Sequence, residues 1–162
     1  MNSLEKELVQ QIFQYCTKNN ITIRVAESCT GGSLASLFTS LPGSSNIFDR
    51  GVVTYSNKAK EELLNIAPEV LDRYGAVSYE TATLMVEHLI HQKQNILGLA
   101  ITGILGPASD NTKKPVGLVY IAVHYQNQTT VKKLSLSGNR DSIKSQVLLA
   151  TLQLCLKKIQ DL

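Results

Sequence analysis

Residues 96–102, ILGLAIT, form an unbroken apolar run that ends in Thr102-Gly103. The run is too short to cross a membrane and lacks the alternation of a half-exposed strand, so it reads as a strand covered on both faces. A second such run, PVGLVYIAVHY, occupies 115–125. Strands of this kind require helices above and below them. A chain of 162 residues, 43% of them hydrophobic, is long enough to close such a core and too short for two ordinary domains. We therefore expect one domain over 1–162, a three-layer α/β/α arrangement around a mixed sheet of about five or six strands.

The remaining strands are expected near 21–26, 49–55 and 129–136, beside those at 97–102 and 116–125. TTVKKLSL alternates like a half-exposed edge, and Gly51 suggests a bulge or a close contact. A helix over 3–18 carries the stripe Leu8, Val9, Ile12, Phe13 and Cys16. Leu34, Leu37, Phe38 and Leu41 have the spacing of one helix face. Ser56-Asn57 offers caps for a short helix at 58–66, which closes before Pro68; residues 71–75 read as a linker. Ser78 caps a helix with Ala82, Met85, Val86, Leu89 and Ile90 inward. His88 and His91 fall off that stripe and are expected in solvent, and His124 at a strand end or edge. Residues 108–114 are polar and aperiodic, a mobile loop able to close over a ligand. Gly138-Asn139-Arg140-Asp141 introduces a last helix over 142–158.

The formal charge is only +3, and the lysines are scattered apart from three pairs, which argues against a nucleic-acid partner. Three cysteines without metal-type spacing, and a start (MNSLEK) unlike a signal peptide, fit a reducing cytoplasm. No segment suits a membrane.

Chemistry concentrates in VAESCTGG, where Ser28, Cys29 and Thr30 stand in a strand-to-helix turn before Gly31-Gly32. Glycines there let the backbone approach a ligand and aim free N–H groups and the positive helix end at it. A plain N-cap with a tight bend explains the same residues. Thr102-Gly103 and Gly106-Pro107 follow the carboxyl end of the buried strand, where open α/β sheets bind ligands. Lys58 and Lys60 lie in the first turn of a helix, where the dipole disfavours cations. A lysine acting as a base needs its pKa lowered from ~10.4 by roughly three units, about 4 kcal/mol, and burial beside positive charge supplies that direction. Arg140 likewise puts a cation at a helix entrance, an anion pocket with phosphate as the obvious guest.

AESCTGG, PGSSNIFDRGVVTYSNKAKEELL, YGAVSYETA, TGILGP, KPVGLVYIAV and GNR together closely resemble the CinA C-terminal domain family, whose characterised enzymes are nicotinamide-nucleotide amidohydrolases of the PncC type. The resemblance runs in order from about Val25 to Arg140. It implies a stand-alone domain that hydrolyses the carboxamide of nicotinamide mononucleotide to nicotinate mononucleotide and ammonia, with no metal and no cofactor. It implies Ser28 as nucleophile, Lys60 as its base and Tyr55 assisting proton transfer. Thr30, Gly31, Gly32, Ser45, Asn57, Thr102, Gly103 and Arg140 would line the substrate site, Arg140 on the phosphate; from the turn itself, the glycine N–H groups are one candidate for the oxyanion. A small-molecule pyridine nucleotide is the implied partner, and a homo-oligomer, most simply a dimer, the implied assembly. The chain departs from the family at Leu105 and Ala108-Ser109-Asp110, where a small residue and further glycines are usual. Two other readings stand beside this one: Cys29 as nucleophile at a helix N-terminus, and a non-catalytic nucleotide-sensing or interaction module.

Overall fold

The apolar run becomes the middle strand of a five-stranded sheet in the computed structural model, which describes residues 1–91, 95–109 and 112–161. In chain order the elements are α1 (Ser3–Lys18), β1 (Thr22–Glu27), α2 (Ser33–Thr39), a 3-10 turn (Ser44–Asn46), β2 (Phe48–Val53), α3 (Asn57–Leu64), α4 (Pro68–Tyr74), α5 (Tyr79–Ile90), β3 (Ile96–Gly103), β4 (Leu118–Tyr125), β5 (Gln128–Ser135) and α6 (Arg140–Gln160). The strand order is β2-β1-β3-β4-β5. The first three are mutually parallel and β4 and β5 antiparallel, so the sheet is mixed as expected. No helix among the described residues is long and apolar enough to cross a membrane.

The two faces of the sheet differ in side-chain size. Toward α1, α2 and α6 the strands present Ile23, Val25, Leu97, Leu99, Ile101, Ile121 and Val123. Toward α3, α4 and α5 they present Ala26, Ala100 and Ala122. Gly98 shares the small face: a Cβ there would come within 2.6 Å of Ile90 Cδ1 and 2.9 Å of Val86 Cγ2, so α5 lies close against the sheet. Arg24 also lies on that face and is buried. Its Nε donates to Asp49 Oδ2 at 2.7 Å, and its Nη1 reaches the carbonyls of Leu89 and Ile90 at 3.2 and 3.1 Å, satisfying the otherwise orphaned end of α5.

Some local expectations need correction and others hold. Residues 71–75 are no linker: α4 runs from Pro68 at its first turn, through buried Leu71, to a glycine cap at Gly75. His88 is half-buried, its Nδ1 donating to the Leu64 carbonyl at 2.7 Å, whereas His91 is exposed. His124 on β4 meets Thr129 Oγ1 of the neighbouring edge strand at 2.8 Å. Gly51 is a close contact, with Ala35 Cβ and Val25 Cγ2 each 3.0 Å from where its Cβ would stand, next to a register shift between β1 and β2. The expected loop at 108–114 is described in part, Asp110 and Asn111 lying outside the described residues.

Candidate active site

Parallel strands β2, β1 and β3 end side by side, and the chain leaves β1 at Ser28. Thr54 N donates to the Glu27 carbonyl at 2.7 Å and Ser28 N to that of Ile101 at 3.0 Å, so neighbouring strands fix the backbone on both sides of the serine. From β2 the chain turns into α3, capped by Ser56 Oγ on Ala59 N at 3.0 Å. That turn brings Lys60 back over the strand ends. Its Nζ lies 3.0 Å from Ser28 Oγ and 2.7 Å from the Thr54 carbonyl, and the side chain is 1% exposed. A hydroxyl and an amine have thus been brought together from 32 residues apart, in a place where water has little access.

A cavity of about 310 Å³ opens in front of the pair, at the small end of ligand-site volumes. Tyr55, Asn57, Thr102, Gly103 and Arg140 line it with Ser28 and Lys60, so seven of the eleven residues singled out from the sequence converge there. Ala76, Val77, Ile104 and Leu105 give it an apolar wall. Leu105 is 2% exposed and packs into the main core. Thr102 is buried, its hydroxyl donating to the Ala76 carbonyl at 2.7 Å. Arg140 reaches across the mouth from the start of α6. Its Nη1 donates to the Gly106 carbonyl at 2.7 Å and its Nη2 to the Tyr55 hydroxyl at 3.0 Å. Tyr55, 60% exposed, is thereby tied to the arginine.

Four expected substrate contacts lie elsewhere. Thr30, Gly31 and Gly32 belong to the entrance of α2, and its N–H groups are not open to a ligand. The carboxylate of Glu27, 1% exposed, takes them: Oε2 accepts from Thr30 Oγ1 (2.6 Å), Gly32 N (3.2 Å) and Leu34 N (3.0 Å), and Oε1 from Ala35 N (2.8 Å). Gly31 N donates to the Ser28 carbonyl at 3.1 Å. The oxyanion role given to the glycine turn is therefore not carried by these N–H groups. Ser45 lines a separate depression with Thr22, Arg24, Asp49 and Ile96, at the opposite ends of the same strands. Glu27 escaped the sequence reading, although an acidic side chain just ahead of a helix was a usable signal. Lys114, described below, opens the KPVGLVYIAV motif but was given no role there.

Cys29 also lines the cavity. Burial pushes its thiol up to about 12, outweighing Lys60 and Arg140, which pull it down. A thiol held protonated is a poor nucleophile, so the geometry favours the serine. Among the described residues no three His, Cys, Asp or Glu side chains converge as metal ligands would.

An α/β domain with a buried serine–lysine pair at the carboxyl ends of its parallel strands is the class that fold and site define together. Residues 5–159 match the CinA C-terminal domain, and the chain belongs to that family. A relative from Caldanaerobacter subterraneus subsp. tengcongensis, named for competence-damage inducibility, is 46% identical over 145 residues, 90% of this chain and 35% of its own length. The CinA-like protein of Kosmotoga olearia is 41% identical over 88% of this chain and 34% of its own. The chain thus spans about a third of the length of these curated relatives. Among solved structures, the competence/damage inducible protein CihA from Agrobacterium tumefaciens superposes with a TM-score of 0.92 at 33% identity, covering 99% of this chain and 98% of that one. The CinA superfamily protein from Klebsiella pneumoniae 700603 gives 0.92 at 25% identity over the whole of both chains.

Proposed function

We propose that this chain is an amidohydrolase that converts nicotinamide mononucleotide to nicotinate mononucleotide and ammonia. The observation that carries the reading is Lys60 Nζ at 3.0 Å from Ser28 Oγ, buried and steadied by the Thr54 carbonyl. In its neutral form the amine takes the hydroxyl proton as Oγ attacks the carboxamide carbon. The tetrahedral intermediate collapses by expelling ammonia, which leaves with the proton returned by Lys60. A water, deprotonated by the same amine, then attacks the ester and releases Ser28 and the carboxylate product. Burial takes an ammonium out of water and so works toward the neutral amine this cycle needs. The apolar wall suits a flat ring, and Arg140 at the mouth suits a phosphate.

The test is direct. Purified protein incubated with nicotinamide mononucleotide is expected to release ammonia and nicotinate mononucleotide in equal amounts, with Ser28→Ala inactive and Cys29→Ala active. Absence of ammonia at any substrate concentration sinks the reading; nucleotide binding without turnover would instead assign the sensing module. On this reading the enzyme is cytoplasmic and self-associates, most simply as a dimer, which sedimentation of the purified protein checks.

A further inference from the structure

Four consecutive backbone carbonyls, those of Tyr74, Gly75, Ala76 and Val77, cross from α4 to α5 and would be orphans of the helix end and the turn. Each accepts a hydrogen bond from a side chain. The hydroxyls of Ser78 and Thr81 lie 3.0 and 2.7 Å from the Gly75 oxygen, and Thr102 holds that of Ala76 at 2.7 Å. The other two share one donor: Lys114 Nζ stands 2.7 Å from the Tyr74 oxygen and 2.6 Å from that of Val77. Gly75 leaves the room for it, since a Cβ there would come within 2.9 Å of the ammonium, and its φ of +81° is one that side chains rarely adopt.

Ala76 and Val77, the residues so pinned, form part of the apolar wall of the Ser28 cavity. Lys114 itself lies just before the entry to β4, at the far end of the segment that leaves β3 through Gly103. We infer that Lys114 is a positioning residue: its ammonium clasps the turn between α4 and α5 and so sets where the ring-facing wall stands relative to Ser28. The inference rests on the amidohydrolase reading for its kinetic part only. A hydrogen bond from an ammonium to a carbonyl is among the stronger kinds, and here one cation makes two of them. A side chain of equal length without donors would release both carbonyls, while a guanidinium could retain them with altered spacing.

The experiment compares Lys114→Met and Lys114→Arg with the wild type, and uses Lys113→Met, an exposed neighbour, as control. Amide hydrogen exchange needs no substrate: residues 75–78 are expected to exchange at least tenfold faster in Lys114→Met, with β1 and β3 unchanged. With nicotinamide mononucleotide, KM should rise at least fivefold while kcat stays within about twofold, and Lys114→Arg should recover part of the loss. Unchanged exchange at 75–78, or an unchanged KM, overturns the role. So does faster exchange spread over the whole chain with kcat falling alongside, which marks a general loss of stability. If the wild type releases no ammonia, the amidohydrolase reading has failed and the exchange arm alone decides Lys114.

Discussion

Lys60 is a cationic residue type placed almost wholly out of water, among the largest fully buried side chains of the protein. If it is the base, kcat/KM should rise with pH through an apparent pKa below the ~10.4 of a free lysine. Lys60→Arg should then be as inactive as Lys60→Ala, because a guanidinium keeps its charge throughout the working range. Near-full activity in the arginine variant would leave only a need for positive charge. Cys29 makes a second residue-scale prediction. With its thiol at about 12 and only 8% exposed, it should resist iodoacetamide at pH 8 in the folded protein and react fully in denaturant. Fast native labelling at Cys29 would reopen the thiol reading. Both residues stood out in the sequence, yet the closeness of Lys60 to Ser28 and the burial of both did not, since these depend on how the chain folds back over β1.

At the scale of elements, periodicity made most of the fold legible. The unbroken apolar runs identified β3 and β4, and the stripe at Ala82, Met85, Val86, Leu89 and Ile90 identified α5. What it could not reveal was that alanine and glycine (Ala26, Gly98, Ala100, Ala122) take the middle of one sheet face while large residues take the middle of the other, because hydrophobic pattern reports burial and not closeness of approach. The missed α4 is a different case. Its Pro at the start and Gly at the cap are ordinary helix signals, but seven residues with one buried leucine gave too little periodicity to read. The close seat of α5 yields its own prediction: Gly98→Val drives methyl groups into Ile90 and Val86 and should cost about 1–3 kcal/mol. Denaturant unfolding of the variant measures it, and an unchanged midpoint would mean that α5 has room to move away.

Across the whole molecule, the last helix of the chain reaches back to the cavity that opens at the end of its first strand. Arg140 arrives from α6, the last helix, to close the mouth over Gly106 and Tyr55. If it receives the phosphate, Arg140→Ala should raise KM about tenfold or more with a smaller change in kcat, since a hydrogen bond to a charged group contributes roughly 1.5–3 kcal/mol. Equal turnover of the nucleoside and the nucleotide would count against that role. Neither the arginine's reach to Tyr55 nor the separation of Ser45 from the site was readable, because both depend on which end of the sheet a loop returns to.

Glu27, sealed inside the entrance of α2, has a consequence for the end of the reaction. On the proposed reaction the amide that enters is neutral, but the product that leaves carries a negative charge on its carboxylate oxygens, and Glu27 precedes Ser28 along the chain. An acidic group nearby disfavours a second negative charge, so on this reading the product is bound less tightly than the substrate. Glu27→Gln, if it keeps its fold, should bind nicotinate mononucleotide more tightly relative to the amide than the wild type does, and slow turnover through retention. A calorimetric ratio of the two affinities that does not move would place the force for release elsewhere.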